Sequence, residues 1–223
     1  MNTDEKNNQH SKNKEYKLEE QTSVAEESAI VYEAKRYSYA DYLTWTDDIM
    51  REIIDGIVYV FSAPLRKHAV AVRTIFGRAF NFIDKRKAKC EIYTAPFDVR
   101  FPTDGATDND KIYNVVQPDI CVICDPSKLD DGGCIGAPDL IVEVLSPSTA
   151  KKDLGKKFNL YQEFGVKEYW IVCPNNKIVT VFILQPDGKY DEGNVFEVSR
   201  GVTRVPVQTL KGLDIELNEL FID

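Results

Sequence analysis

Two short apolar runs near the middle of the chain constrain its fold more than any other feature. The first is PDICVIC at residues 118–124, and the second is PDLIVEVLS at residues 138–146. Each run has the length of a strand and few polar positions, which is typical of central strands covered on both faces. The sequence therefore predicts a sheet with apolar cores on two sides.

Two hairpins are predicted on either side of these strands. Asp55-Gly56 separates the apolar runs of REIIDGIVYVF, and this dipeptide is the strongest short-range signal for a two-residue hairpin turn. Asn175-Asn176 separates EYWIVCP from KIVTVFIL in the same way. Between the hairpins, CEIYTAPFDVRF reads as one extended strand.

Two helices are predicted from apolar spacing. Apolar residues recur at helical intervals from about Lys67 to Lys87, which indicates a long amphipathic helix. A second helix is expected to begin at a cap formed by Ser148 or Thr149 and to run to Phe164, with Gly165 ending it. The order of elements favours an α/β fold: a mixed β-sheet flanked by helices, with an added N-terminal β-hairpin.

The N-terminal region differs in composition from the rest of the chain. It opens with MNTDEKNNQHSKNKEYKLEEQ, which has almost no apolar anchor. We therefore predict a disordered tail over residues 1–35 and a single domain over residues 36–223, and we expect residues 1–30 to be removable without loss of stability. No apolar run approaches the roughly 20 residues that a membrane span requires. The polar N-terminus also lacks the apolar core of a signal peptide, so a cytoplasmic location is expected.

The five cysteines of the chain are an odd number, and no secretory signal accompanies them. A disulfide framework is therefore not expected. Cys121 and Cys124 form a C-x-x-C inside a strand-like run, where residues three apart point to opposite faces. We interpret both as buried thiols rather than as a redox or zinc pair.

Charge is distributed unevenly along the chain, whose formal net charge is −8. Residues 66–89 carry eight basic side chains and one acidic one, whereas residues 103–131 carry seven aspartates and two lysines. The overall charge argues against a protein that coats nucleic acid, because counterion release rewards basic surfaces. A basic element beside an acidic one nevertheless suits a metal-dependent phosphodiesterase.

Two carboxylates occupy positions where carboxylates are disfavoured. Glu143 lies in the middle of the apolar run LIVEV, where an ionised side chain costs several kcal/mol unless it is paired or bound to a cation. Asp119 opens the neighbouring run directly after Pro118. On adjacent strands both could supply oxygens to a hard cation such as Mg²⁺ or Mn²⁺. The alternatives are a turn role for Asp119 and a buried salt bridge for Glu143.

Lys157 lies on the inward stripe of the second predicted helix. It follows Leu154 by three residues and precedes Tyr161 by four, whereas Lys156 points away. A lysine there can snorkel to solvent or direct its ammonium at the carboxylate pair. The second interpretation is favoured because the strand that carries Glu143 leads into this helix. We also expect removal of Lys157 to leave the fold largely intact.

His68 is the only histidine in the predicted domain. At the start of the long helix it could meet a phosphate, or it could cap or pack, and we favour the structural role. Ser146 with His68 could form a hydrolytic dyad. No G-x-S-x-G turn surrounds this serine, so acyl transfer is not expected.

The motifs REIIDG, QPDI, PDLIVEVLSPST, KKDLGKKFNLYQEFGV and KEYWIV occur in an order that resembles the Uma-type restriction endonuclease family. This family belongs to the PD-(D/E)XK nuclease-like superfamily. The resemblance covers roughly residues 38–220 and is most specific from Pro138 to Val172. It implies a restriction-endonuclease-like fold.

The resemblance also implies a set of site residues. Asp119, Glu143 and the main-chain carbonyl of Val144 match the metal-binding positions, and Glu52 matches an acidic residue near the site. The superfamily's lysine would stand two residues after the glutamate, where this chain has Leu145. Lys157, on the following helix, is the matching replacement, and Lys152 is a weaker one.

Two functions follow from this reasoning. The first is metal-dependent phosphodiester hydrolysis of nucleic acid, with DNA favoured over RNA, Mg²⁺ or Mn²⁺ as cofactor, and a homodimer if both strands are cut. The second is a catalytically inactive nuclease-fold protein that binds DNA or a protein partner. No base-reading motif is visible, and no residue is assigned to nucleic-acid binding.

Overall fold

The computed structural model describes residues 35–61, 65–146 and 153–221, with only the backbone at 153 and 154. Residues from Lys35 onward form one compact unit. The predicted tail and the helix cap at Ser148 or Thr149 lie outside the described residues, so those expectations stay predictions. Within the described residues no helix is long and apolar enough to cross a membrane.

The described secondary structure comprises short helices, one long helix and fourteen strands. The helices are α1 (Tyr39–Tyr42), α2 (Arg66–Arg86), α3 (Phe158–Phe164) and α4 (Leu217–Leu220), and a π-helical turn over Asp153–Lys157 leads directly into α3. The strands are β1 (Arg51–Ile54), β2 (Ile57–Val60), β3 (Glu91–Thr94), β4 (Val99–Arg100), β5 (Val115–Val116), β6 (Ile120–Ile123), β7 (Leu129–Asp130), β8 (Gly133–Ile135), β9 (Leu140–Val144), β10 (Glu168–Cys173), β11 (Ile178–Ile183), β12 (Asn194–Glu197), β13 (Arg204–Pro206) and β14 (Asp214–Glu216).

The strands form two six-stranded mixed sheets and one two-stranded sheet. The first large sheet has the order β2-β1-β5-β4-β8-β7, and the second has the order β12-β11-β10-β9-β6-β3. β13 pairs with β14. The only parallel pairs are β4 with β8 and β9 with β10 among the strands described. The predicted mixed α/β fold is confirmed, and the N-terminal hairpin is part of the first six-stranded sheet rather than an isolated addition.

The two apolar runs form neighbouring interior strands of the second sheet, β6 and β9. Along β9, Val142 and Val144 belong to the core that also contains the buried face of α2, whereas Ile141 belongs to the core beneath α3. Glu143 is two residues after Ile141, so its side chain lies on the same face of the strand, towards α3. The prediction of central strands covered on both faces is therefore confirmed.

The predicted turns and helix ends agree closely with the structure. Asp55 and Gly56 both have positive φ, as a tight two-residue hairpin turn requires. α2 spans Arg66–Arg86, and α3 ends at Gly165 in the left-handed conformation. The segment predicted as one strand is instead divided into β3 and β4, which belong to different sheets. Pro96 lies in the break, where its missing N–H prevents continued pairing.

The expectation for Cys124 is wrong, because its sulfur is bonded to that of Cys90. β3 and β6 are antiparallel neighbours with Glu91 opposite Ile123, so one further step brings the two cysteines face to face. Cys121 is a buried free thiol, as predicted. The pairing depends on strand neighbours that are far apart in sequence, which cysteine spacing alone does not reveal.

Candidate active site at the end of strands β6 and β9

The two carboxylates predicted from the sequence lie at one end of the second sheet. β6 and β9 are antiparallel, with Ile120 opposite Val142. Continuing this register by one residue brings Asp119 opposite Glu143. Asp119 lies in the bend before β6, and Glu143 lies near the facing end of β9. Both carboxylates are therefore at the same end of the sheet.

Asp119 is held by a side chain from α2 and by the backbone of β9. Its Oδ2 atom accepts the Val144 N–H at 2.7 Å and lies 3.0 Å from His68 Nε2, which must donate because a carboxylate only accepts. The Asp119 side chain is 19% exposed. His68 therefore contacts a residue of the predicted metal site, whereas the sequence favoured a structural role for it. The contact joins residues 51 positions apart, which no local pattern signals.

The second nitrogen of His68 has no partner within the described part of the chain. Nδ1 is buried and makes no hydrogen bond there. In a neutral imidazole only one nitrogen carries a proton. Because Nε2 donates to Asp119, Nδ1 is then the acceptor. A buried unsatisfied polar atom costs about 1–3 kcal/mol, so such atoms are rare away from functional sites. The histidine is therefore held at Asp119 despite this cost.

Lys157 lies between two buried carboxylates. Its Nζ atom is 2.7 Å from Glu52 Oε1 and 2.8 Å from Glu143 Oε1. The exposed fractions of Glu52, Glu143 and Lys157 are 1%, 3% and 3%. We call these three residues and Tyr161 the buried cluster. The lysine faces inward, as the helical spacing predicts, and it does not reach solvent.

Two further donors fix the carboxylates of the buried cluster. The Tyr161 hydroxyl donates to Glu143 Oε1 at 2.6 Å, and the backbone N–H of Gln117 donates to Glu52 Oε1 at 3.0 Å. The pKa of Tyr161 is raised well above its ordinary value, mainly because the side chain is buried. The negative charges of Glu143 and Glu52 raise it further. The tyrosine therefore stays protonated and acts as a donor.

A polar network behind Glu52 was not predicted. The Gln117 side-chain amide donates to Asp98 Oδ1 at 2.9 Å and to the Tyr42 hydroxyl at 3.0 Å. Asp98 also accepts the hydroxyls of Tyr39 and Tyr42. These groups fix the segment whose backbone N–H contacts Glu52. The signal for them is weak in sequence, because they come from three separate segments of the chain.

The structure combines the two interpretations that the sequence offered for Glu143. Glu143 does form a buried salt bridge, and its partner is Lys157, so the salt-bridge and active-site interpretations describe the same side chains. Lys156 is exposed and donates to the Tyr59 hydroxyl at 2.5 Å. Lys152 lies outside the described residues. Removing Lys157 would leave two carboxylates facing each other in a buried site, so the geometry favours a loss of stability over the tolerance expected from the sequence.

Two observations bear on whether a divalent cation fits this site. Among the described residues, no group of three or more His, Cys, Asp or Glu side chains is arranged to hold a metal ion. Mg²⁺, however, usually binds one or two carboxylates and completes its coordination with water and substrate phosphate. Asp119 and Glu143 supply that number of carboxylates. With all groups ionised, Glu52, Glu143 and Lys157 carry one excess negative charge, and Asp119 adds another, so the donor set fits a hard cation.

Comparison with known proteins agrees with this fold. A chain from Anabaena variabilis, described in its crystal structure as a "putative nuclease belonging to DUF820", superposes with a TM-score of 0.64 at 20% identity. The match covers 82% of this chain and 96% of that one. At this identity the likeness establishes the fold alone.

Sequence comparison identifies relatives over most of the chain. An uncharacterized protein of Synechocystis is 27% identical over 158 residues, which cover 70% of this chain and 78% of the relative. The Uma2 family, described as "putative restriction endonuclease", matches residues 39–218. The match includes every residue of the candidate site, from Glu52 to Tyr161. The chain therefore belongs to the Uma2 family.

Proposed function

We propose that this protein is a metal-dependent endonuclease that hydrolyses phosphodiester bonds in nucleic acid, with DNA as the preferred substrate. The observation that carries the proposal is that Asp119 and Glu143 lie at the same end of the sheet, with Lys157 Nζ 2.8 Å from Glu143 Oε1. Burying an ionised carboxylate among apolar strand residues costs free energy unless a cation or a basic side chain is paired with it. Membership of the Uma2 family supports nuclease chemistry independently.

Asp119, Glu143 and the main-chain carbonyl of Val144 are the groups that would hold Mg²⁺ or Mn²⁺. Such a cation supplies Lewis-acid polarisation of a phosphate and lowers the pKa of water. Both described hydrogen bonds of Asp119 go to Oδ2, which leaves Oδ1 for a cation as far as the described residues show. Val144 and His68 thereby orient the carboxylate.

Lys157 provides the positive charge of the site. Its ammonium lies against Glu143, where it can orient the attacking water or stabilise charge that develops on the phosphate. Glu52 contacts the same ammonium. This contact favours a role for Glu52 in positioning Lys157 over a role as an auxiliary metal ligand. Tyr161 fixes the Glu143 oxygen that Lys157 also contacts.

Two finer features belong to the same proposal. Cutting both strands of a duplex with one site per chain calls for a symmetric homodimer, in which each copy cuts one strand. A cytoplasmic location is consistent with a nucleic-acid substrate and stays a prediction.

The test is a cleavage assay on the purified full-length chain. Supercoiled and linear duplex DNA, single-stranded DNA and RNA are incubated with Mg²⁺, with Mn²⁺ and with a chelator. We expect metal-dependent cleavage of DNA by the wild type and none by Asp119→Ala. A folded wild type that cuts no substrate with either metal would contradict the proposal and favour a non-catalytic protein that binds DNA or a protein partner.

A further inference from the structure

The exposed basic side chains of α2 and of the three residues after it fall into two groups separated along the chain. The N-terminal basic group is Arg66, Lys67 and Arg73, and the C-terminal basic group is Lys85, Arg86, Lys87 and Lys89. Arg78 is the only basic residue between them, and its guanidinium is paired with Glu219. The helix therefore carries two separate positive ends rather than one continuous stripe.

The N-terminal basic group adjoins the candidate active site. His68 directly follows Lys67, and its Nε2 is 3.0 Å from Asp119 Oδ2. Arg66 and Lys67 are exposed and directly precede His68 in the first turn of α2, so both lie near the site. Lys85, by contrast, lies 17 residues beyond His68, which is about 25 Å at 1.5 Å per residue.

The cations of this group have no ion-pair partner in the part of the chain that the structure describes. Arg66, Lys67 and Arg73 form no salt bridge there, in contrast to Arg78. The chain as a whole carries a net charge of −8, which repels a polyanion. Binding of nucleic acid therefore requires a local positive surface, and this one lies beside the carboxylates.

We propose that the N-terminal basic group binds the sugar-phosphate backbone of the nucleic-acid substrate where it enters the site. This inference rests on the proposed nuclease function. The substrate crosses the N-terminal end of α2 and does not run along the helix, because the middle of α2 offers no unpaired cation. Contacts of this kind position the substrate and carry no sequence specificity.

The experiment compares two double variants with the same change of charge. Arg66→Ala/Lys67→Ala removes two cations at the site, and Lys85→Ala/Lys89→Ala removes two at the other end of α2. Affinity for a fluorescein-labelled 20-base-pair DNA duplex is measured by anisotropy in Ca²⁺ between 50 and 200 mM salt. Each lost phosphate contact should reduce the slope of log K against log salt by about 0.9. We expect a reduction of about 1.8 for the first variant and little change for the second.

Cleavage kinetics separate this inference from the proposed function. Arg66→Ala/Lys67→Ala should raise KM and leave kcat within about twofold, because it removes binding made equally before and during the reaction. Arg66→Lys/Lys67→Arg, which retains the charges, should behave like the wild type. Equal salt slopes for both double variants, with a wild type that binds and cuts, would overturn this inference alone. A folded wild type that neither binds nor cuts DNA would overturn it together with the proposed function.

Discussion

The two sides of the candidate site are built differently. On one side Asp119 is 19% exposed and is held by one histidine and one backbone N–H. On the other side, the carboxylates of the buried cluster surround Lys157 at exposures of 1% and 3%. The first side can exchange water, cation and substrate, whereas the second is fixed by its own charges. We therefore expect changes at Asp119 to remove chemistry, and changes in the buried cluster to remove chemistry and stability together.

The largest expected effect is on activity and involves both sides. Asp119→Ala and Glu143→Ala should each reduce cleavage at least about 1,000-fold, because each removes a proposed metal ligand, and such a ligand is worth several kcal/mol in the transition state. Both variants should also lose Mn²⁺ binding, measured by calorimetry. Glu143→Ala leaves Lys157 paired with Glu52, so the protein should still fold. Wild-type activity in either variant would show that its carboxylate is not a metal ligand.

Lys157→Ala should be the most destabilising change in the buried cluster. It leaves two carboxylates buried without their ammonium, and breaking such a pair typically costs about 3–5 kcal/mol. Urea unfolding measures the loss of stability, and the cleavage assay should show no activity.

Lys156→Ala is the matched control on the same helical segment. Its exposed side chain should change stability by less than about 0.5 kcal/mol. Equal losses for the two lysines would mean that the buried cluster does not stabilise the fold.

Tyr161→Phe should have an intermediate effect on stability. The variant keeps the ring in its core and removes only the hydroxyl that donates to Glu143. A hydrogen bond to a charged group is worth about 1.5–3 kcal/mol, so urea unfolding should report a loss of that order. A loss below about 0.5 kcal/mol would show that water or another donor replaces the hydroxyl.

His68→Ala should affect metal affinity more than stability. Groups that orient metal-binding carboxylates typically contribute about 10- to 100-fold to affinity, so Mn²⁺ should bind more weakly by that factor. The melting temperature should change little, because the ring already carries an unsatisfied buried nitrogen. His68→Gln, which can donate an amide N–H to Asp119, should recover part of the affinity. Unchanged Mn²⁺ binding in His68→Ala would limit the histidine to packing.

Much of the site was predictable because its clues are local. Glu143 stands out against the apolar residues on either side of it, and Lys157 stands out by helical phase. The contacts of His68 with Asp119 and of Glu52 with Lys157 were not predictable from the residues. They join positions 51 and 105 apart, and no periodicity extends over such separations.

The sequence by itself determined the elements whose signal lies within a few residues. The Asp55-Gly56 turn, the apolar face of α2 and the apolar strands β6 and β9 all follow from backbone preferences and from the burial of apolar surface. Only the tertiary structure decided how these elements meet. The two-residue strands β4, β5 and β7 are too short for any pattern, so the first sheet depends on partners distant in sequence. Strand register brings Cys90 to Cys124, and helix packing brings Lys157 to two carboxylates. Both contacts join residues far apart in sequence, so no local sequence pattern predicts them.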